Sequence, residues 1–149
     1  MEKNMLSKKE WIKLVQDKSA HYLNLGDGGF DETMQCYLVG CDYDKQAVTY
    51  GFPTLAWQIN EKGGIHGGAI AGMFDTALGV VGNFTAGENE AATTDLNISF
   101  LRGVEMGMEL ELTVYIVKAG RSLIRMRGEL KDKASGKLLA TAVGSWMPL

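Results

Sequence analysis

The residues best suited to chemistry fall in one glycine-rich segment, His66-Gly67-Gly68, followed nine positions after the histidine by Asp75. Gly67 and Gly68 stand where a long apolar helix is expected to begin, and they leave backbone N–H groups accessible there. The first N–H groups of a helix lack partners inside it, and the helix dipole favours negative charge beside them. The pair therefore predicts an oxyanion hole, a site that stabilises charge growing on a carbonyl oxygen.

Asp75 lies within the same predicted helix and on an unusual face of it. A helical wheel groups it, away from the apolar stripe, with five small residues: Gly68, Ala71, Gly72, Gly79 and Gly82. Each glycine inside a helix costs about 1 kcal/mol relative to alanine. We therefore expect another subunit, a ligand, or both to pack closely on this face. The plainer alternative is a tight helix start beside a partly exposed polar residue.

Other catalytic and binding patterns are missing from the sequence. It contains no G-x-S-x-G nucleophile turn, no phosphate-binding P-loop and no G-x-G-x-x-G dinucleotide loop. His21 and His66 are the only histidines, and they form no tight cluster with cysteines and carboxylates. We therefore expect neither a metal site nor a cofactor.

Composition limits the class of protein further. The 149 residues suit a single domain spanning positions 1–149, and 15 basic against 18 acidic residues give a net charge of −3, without the basic surplus typical of nucleic-acid binding. Cys36 and Cys41 are too few for a disulfide framework and are expected to be free thiols. The charged N-terminus lacks the apolar core of a signal peptide, and the apolar stretch 69–84 is broken by Asp75. We expect a cytoplasmic protein that does not associate with membranes.

The elements that must position these residues follow from periodicity. Ser7 and Glu10 have capping-box spacing, which predicts an N-terminal helix to about His21. The central helix begins at Gly67-Gly68 and is expected to end near Gly82. Six strand-like runs surround it, with alternating apolar and polar residues in the later ones: 34–41, 47–57, 95–100, 110–116, 124–130 and 138–146. The predicted architecture is α+β, with about six antiparallel strands wrapped around a long central helix and an additional N-terminal helix.

The sequence resembles the hotdog-fold acyl-CoA thioesterases, specifically the PaaI-like group. The resemblance extends from about residue 42 to the C-terminus, and the motif of Asn60, His66-Gly67-Gly68 and Asp75 carries it together with three later runs: 93–102, Gly120-Arg121-Ser122 and 136–140. Gly103 departs from the pattern, because the group often has proline after the arginine. The resemblance implies the hotdog fold and hydrolysis of a CoA thioester.

The resemblance also implies a role for each motif residue. Gly67 donates its N–H to the thioester carbonyl, and Asp75 acts as general base or nucleophile. Asn60 places the attacking water or the substrate, and Thr93 contacts that water. His66 shapes the helix start through hydrogen bonds.

Helix geometry makes a composite site necessary if Gly67 and Asp75 act in one reaction. They are eight residues apart, so they lie about 12 Å from each other along the helix axis. A catalytic base must come within about 3 Å of the water it activates. The two groups must then come from different chains, and a two-fold homodimer would contain two equivalent sites. Pairs of dimers are common in the family that the sequence resembles.

A second set of residues is predicted to contact the substrate. Lys118, Arg121 and Arg102 are candidates for the CoA phosphates, with ordinary solvated charge as the alternative, and Gly68 and Ser122 complete the predicted substrate-binding set. Five large apolar residues could line an acyl pocket, or they could equally belong to the core: Phe52, Trp57, Met73, Phe84 and Phe100. The predicted function is hydrolysis of acyl-CoA to a free acid and CoA. The alternatives are a non-catalytic module that binds acyl-CoA or fatty acid, and a purely structural dimer.

Overall fold

The computed structural model describes residues 5–149 and begins with the predicted N-terminal helix. Helix α1 (Lys8–Leu23) starts with the capping box, in which Ser7 N–H donates to Glu10 Oε2 (2.8 Å) and Glu10 N–H donates to Ser7 Oγ (3.2 Å). It ends two residues beyond the predicted end at His21. A second, four-residue helix, α2 (Phe30–Thr33), follows a glycine-rich loop. The sequence analysis did not predict it.

A single antiparallel sheet of six strands forms within residues 5–149, as the alternation predicted. The strands are β1 (Tyr37–Asp42), β2 (Ala47–Pro53), β3 (Ala91–Phe100), β4 (Glu109–Ala119), β5 (Ile124–Asp132) and β6 (Leu138–Pro148). Their order across the sheet is β1-β2-β4-β5-β6-β3. Strands β1 and β3 are therefore the two edges, and β3 lies beside β6.

Several predicted strand boundaries are wrong; β3, for example, begins at Ala91 rather than Asp95. Strand β1 begins at Tyr37 rather than Met34, because Met34 is the C-cap of α2 and is fully buried. Strand β2 ends at Pro53 rather than Trp57, since proline has no N–H to continue the hydrogen-bonding ladder. A turn of 3-10 helix (Ala56–Gln58) follows it.

Helix α3 (Gly67–Ala86) packs against the sheet and forms the centre of the core. It continues four residues past the predicted end at Gly82, which is buried within it, and Gly87 follows at φ +91°. It is the one helix of residues 5–149 with a length and composition that could cross a membrane, but most of it is buried by the rest of the chain. Helix α3 is therefore the core helix that the sequence predicted.

The core joins α3 to both the sheet and α1. Met73, Phe74 and Leu78 of α3 are fully buried, together with residues from across the sheet such as Tyr50 and Trp146. Helix α1 contributes Trp11 and Val15 to the same cluster. A buried hydrogen bond of 2.8 Å joins Ser19 Oγ of α1 to Tyr50 Oη of β2. These contacts fix the position of α3, on which the candidate site depends.

Candidate active site

The start of α3 is capped by the side chain of His66. His66 has extended backbone angles (φ −61°, ψ 137°), and its Nδ1 accepts a hydrogen bond from Gly68 N–H at 2.7 Å. In a neutral imidazole, the nitrogen that accepts carries no proton, so the ring proton of His66 lies on Nε2. The expectation that both glycine N–H groups are accessible is therefore wrong for Gly68, whose N–H is occupied by the cap.

Gly67 keeps an unpartnered N–H. As the first residue of α3 it has no acceptor inside the helix, and no other backbone or side-chain acceptor of residues 5–149 takes its proton. The aromatic ring of Phe100, at the end of β3, approaches to 3.5 Å of the point where a Gly67 Cβ would stand. The start of α3 thus offers one backbone donor beside an aromatic ring that is 55% exposed.

The loop before α3 is built around Asn60. Its Oδ1 accepts hydrogen bonds from Lys62 N–H (2.9 Å) and Gly64 N–H (3.2 Å), and its own N–H donates to the Gly64 carbonyl at 2.8 Å. His66 N–H in turn donates to the Gln58 carbonyl at 2.7 Å. The carboxamide oxygen of Asn60 therefore holds the loop that presents Gly67, and its Nδ2 is the group that remains for a ligand.

Asp75 is exposed on α3 and bonded to the neighbouring strand. Thr93 Oγ1 of β3 donates to Asp75 Oδ1 at 2.8 Å. The other carboxylate oxygen, Oδ2, takes no part in this hydrogen bond. The structure therefore brings together Asp75 and Thr93, which the resemblance paired only through a shared water.

A β-bulge in β3 gives Thr93 this orientation. Thr93 pairs with Trp146 and Asp95 pairs with Ser145, so two steps along β3 match one step along β6. Thr93 consequently faces α3, whereas Asp95 faces the other side of the sheet. There Arg125 Nη1 donates to Asp95 Oδ1 (3.1 Å) and to Ser145 Oγ (2.9 Å). The bulge and its ion pair are features that the sequence analysis missed.

One protomer keeps the two halves of the predicted site apart. Thr93 and Asp75 meet near the beginning of β3, and Phe100 and Gly67 meet at its end. Strand β3 and helix α3 thus lie side by side and run in opposite directions. The eight residues from Gly67 to Asp75 correspond to about 12 Å along the α3 axis.

The small-residue face of α3 is covered in part by the chain itself. A Cβ added to Gly72 would come within 2.5 Å of Phe30 and 2.6 Å of Met34, and one added to Gly82 would come within 3.0 Å of Trp146. The expectation that a second subunit or a ligand packs along this whole face is therefore wrong at Gly72 and Gly82. Gly68 and Asp75 remain exposed.

Helix α2 is the element that covers Gly72. Thr76 Oγ1 of α3 donates to Asp31 Oδ1 of α2 at 2.6 Å, and Phe30 meets Trp57 edge to face, with ring centroids 6.5 Å apart. Four residues are too few to show helical periodicity. The sequence signal that could have located α2 is the run Gly26-Asp27-Gly28-Gly29, which ends in a helix N-cap.

The predicted phosphate ligands lie at two places. Lys118, Arg121 and Ser122 belong to the hairpin that joins β4 to β5. Ile124, which follows this hairpin, pairs with Trp146, and Trp146 also pairs with Thr93. The hairpin therefore lies at the Thr93 end of β3. Arg102 follows β3 at the opposite end, near Gly67, and its N–H donates to the Leu139 carbonyl at 3.0 Å. All four side chains are exposed, and within residues 5–149 the three cations make no ion pair. Within one protomer, Arg102 therefore lies at the opposite end of β3 from Lys118 and Arg121.

The five apolar candidates separate into two groups. Phe52, Met73 and Phe84 are buried in the core. Trp57 and Phe100 are more than half exposed. The latter two therefore expose the most surface to a ligand, although Phe84 also lines a cavity beside Trp11 and Tyr43.

The architecture is the hotdog fold that the resemblance implied. The Escherichia coli PaaI protein from the phenylacetic acid degradation operon superposes with a TM-score of 0.79 at 18% identity, over 93% of this chain and 95% of that one. A Streptococcus mutans protein, solved bound to acetyl CoA, superposes with a TM-score of 0.68 at 21% identity, over 76% of this chain and 88% of that one. Both likenesses establish the fold.

Sequence comparison defines the family. The sequence profile described as the thioesterase superfamily matches residues 62–138, just over half of the 149 residues. The chain therefore belongs to the thioesterase superfamily. It is 30% identical to mouse acyl-coenzyme A thioesterase 13 over 81 residues, which are 54% of this chain and 58% of that protein. The chain spans about half the length of the curated relatives it matches.

Proposed function

We propose that the protein is a cytoplasmic acyl-CoA thioesterase that hydrolyses a CoA thioester to a free acid and CoA. The family, the name of the mouse relative and the acetyl CoA bound to a protein of the same fold support this reaction class. The observation that carries the proposal is the unpartnered Gly67 N–H at one end of an exposed edge strand, with Asp75 fixed at the other end.

A homodimer formed through β3 would unite these two groups. An edge strand offers unpaired N–H and C=O groups to a second strand. If two copies of β3 pair antiparallel about a two-fold axis at Asn97, Asp95 lies opposite Ser99 of the partner subunit, and the bulge brings Thr93 opposite Phe100 of the partner subunit. Asp75, which is bonded to Thr93, then approaches Gly67 of the partner subunit, whose neighbour is Phe100. The symmetry produces two such sites.

The proposed reaction uses each group once. The thioester oxygen accepts the Gly67 N–H at the start of α3, where the helix dipole stabilises the negative charge that develops on it. Asp75 from the other chain, held by Thr93, takes a proton from water as the water oxygen bonds to the carbonyl carbon. The C–S bond then breaks, and CoA leaves with the proton returned to its sulfur. In the other route open to this geometry, Asp75 attacks the carbonyl carbon and the C–S bond breaks with release of CoA thiolate, and water then hydrolyses the resulting anhydride to the free acid and the Asp75 carboxylate.

The same dimer would gather the predicted phosphate ligands. The two-fold operation brings the Gly67 end of the partner subunit beside the Thr93 end of the first chain. Arg102 of the partner subunit then joins Lys118 and Arg121 at one end of the sheet. Three cations that make no ion pair within residues 5–149 suit the phosphates of CoA, with Ser122 nearby for a hydrogen bond, whereas the N–H of Gly68 is taken by His66 Nδ1.

The direct test is release of free thiol from a panel of acyl-CoA esters. Gly67→Pro removes the donor N–H, and proline is tolerated at the first position of a helix when the residue before it is extended, as His66 is. We expect Gly67→Pro to lose about 10²- to 10³-fold in kcat. Asp75→Asn should also lose most of its turnover, because an amide is neither a base nor a nucleophile here.

Gly67→Ala is the matched control, since it keeps the N–H and its Cβ would meet Phe100 at an ordinary 3.5 Å. It should retain most of the activity. Saturable binding of CoA esters without any turnover by the wild type would instead support a non-catalytic binding module. Absence of both binding and turnover would reject both functions.

A further inference from the structure

Two large aromatic side chains stand exposed beside the proposed catalytic face of α3. Phe30 of α2 is 56% exposed and Trp57 is 53% exposed, although both are held in place. Phe30 lies directly on Gly72, and the two rings meet edge to face at 73°. Two exposed aromatic rings in contact with each other form an apolar surface patch, and such patches mark binding sites.

The position of Gly72 places this pair next to the reacting groups. Gly72 is four residues after Gly68 and three before Asp75, so it lies within about 6 Å of each along the helix axis. Trp57 precedes Asn60 by three residues. The ring of Phe30 is therefore one helical turn from the helix start and less than one turn from the carboxylate of Asp75.

The surface formed by Phe30 and Trp57 lies on a different side of α3 from the predicted phosphate ligands. Strand β3 flanks Asp75 on one side, and Gly72 lies about 60° further around the helix on the other side. The CoA portion of the substrate is proposed to follow the sheet toward Lys118 and Arg121. The acyl group leaves the carbonyl carbon in the opposite direction, toward Phe30 of the chain that supplies Asp75.

Charge near the pair restricts what it could bind. Phe30 is flanked in sequence by Asp27, Asp31 and Glu32, and Asp31 is bonded to Thr76 on α3. Carboxylates at this density disfavour a phosphate or a second carboxylate. The carboxylates therefore disfavour an anionic occupant, and the two exposed rings favour an apolar one.

We propose that Phe30 and Trp57 form the wall of the acyl-binding pocket and select CoA esters with an uncharged apolar acyl group of about six carbons or more over acetyl-CoA. This inference rests on the proposed thioesterase function. Gly72 is required because a Cβ at that position would displace the ring of Phe30. Helix α2 is kept on α3 by the bond between Asp31 and Thr76, so the wall is rigid before substrate binds.

The test compares three substrates: acetyl-CoA, hexanoyl-CoA and adipoyl-CoA, which has the six carbons of hexanoyl-CoA and a terminal carboxylate. The wild type should show kcat/KM for hexanoyl-CoA about 10- to 100-fold above that for each of the others. Phe30→Ala and Trp57→Ala should lower kcat/KM for hexanoyl-CoA by about tenfold or more, and change that for acetyl-CoA by less than about threefold.

A third variant and a control keep the result interpretable. Gly72→Ala should reproduce the selective loss by moving Phe30 without removing it, and alanine favours the helix. Val117→Ala removes an exposed apolar side chain of β4 and should leave kcat/KM unchanged for all three substrates. Circular dichroism and size-exclusion chromatography would show that the variants fold and keep the oligomeric state of the wild type.

The outcomes distinguish this inference from the function on which it rests. Turnover of none of the three esters by the wild type would reject the proposed function, and the inference with it. Equal losses for acetyl-CoA and hexanoyl-CoA, or preserved selectivity in the variants, would leave the thioesterase intact and overturn the acyl wall. Dissociation of the variants into monomers would also overturn it, since the aromatic pair would then be a subunit interface.

Discussion

Thr93 Oγ1 on edge strand β3 donates a 2.8 Å hydrogen bond to Asp75 Oδ1 in the middle of α3. The helix and the strand that follows it in the chain thus together determine the orientation of one carboxylate. One carboxylate oxygen is engaged by the hydroxyl, and the other is free to accept a proton from water. The first prediction follows from this contact.

Thr93→Val should lower kcat for CoA ester hydrolysis by about tenfold with KM little changed, because the shape is kept and the hydrogen bond is lost. Thr141→Val on β6 is the matched control and should keep wild-type kcat. Steady-state kinetics of the two variants provide the measurement. Wild-type kcat in Thr93→Val would show that the hydroxyl does not act through Asp75.

The β-bulge that aims Thr93 should also affect activity from a distance. Arg125→Met removes the donors to Asp95 and Ser145, and we expect kcat to fall about three- to tenfold while the melting temperature changes by only a few degrees. Arg127→Met is the control, because Arg127 also makes an exposed ion pair on β5, with Glu129. Equal effects of the two substitutions on kcat would argue against a positioning role for the bulge.

The sequence was sufficient for the architecture because its patterns are long. The capping box at Ser7 predicted α1, the strand-like runs with alternation in the later ones predicted the six strands, and the spacing of apolar residues predicted α3. The end of α3 was predicted too early because a glycine commonly ends a helix. Gly82 instead lies within α3 and makes room for Trp146 in the core. A tertiary contact of this kind leaves no local signal.

The candidate site was predictable only in its parts. Asn60, His66, Gly67 and Asp75 could be identified from their spacing and from the family resemblance. Their contacts depend on which side chains meet in three dimensions. The occupation of Gly68 N–H by His66 Nδ1 and the cover that Phe30 provides to Gly72 arise from rotamers and from a helix too short to detect.

Stability should depend on the buried hydrogen bond between Ser19 and Tyr50. Both residues are almost completely inaccessible to solvent, so Ser19→Ala leaves the Tyr50 hydroxyl without a partner and should cost about 1–3 kcal/mol in the free energy of unfolding. Urea denaturation measures the loss. The double variant Ser19→Ala/Tyr50→Phe should lose less than the sum of the single variants.

An exposed serine provides the control for this cycle. Ser122→Ala should change the free energy of unfolding by less than about 0.5 kcal/mol. Strict additivity of the Ser19 and Tyr50 substitutions would show that the two hydroxyls do not interact.

The two cysteines should differ in reactivity. Burial, and secondarily Asp31, raises the pKa of the Cys36 thiol far above its usual range, whereas Cys41 is only half-buried and has a raised pKa from burial and Asp42. A thiol-specific disulfide reagent at pH 8 should label Cys41 slowly and Cys36 only after unfolding. Rapid labelling of Cys36 in the native protein would contradict its burial.

The same shift predicts a pH dependence of stability. The folded state retains the Cys36 proton more tightly than the unfolded state, so this stabilisation is complete below the unfolded thiol pKa of about 8.5 and is lost as the pH rises above it. The free energy of unfolding should decline between about pH 8 and pH 9.5. Cys36→Ala should flatten that decline, and an unchanged slope would exclude Cys36 as its cause.

The central claim is that each catalytic centre takes its N–H donor from one chain and its carboxylate from another. Asp75→Ala and Gly67→Pro proteins, each inactive alone, would be co-refolded in equal amounts and assayed for thiol release. Every mixed dimer would then contain one intact centre, so the mixture should recover about a quarter of wild-type activity. A mixture that forms mixed dimers and remains as inactive as its parents would contradict the account.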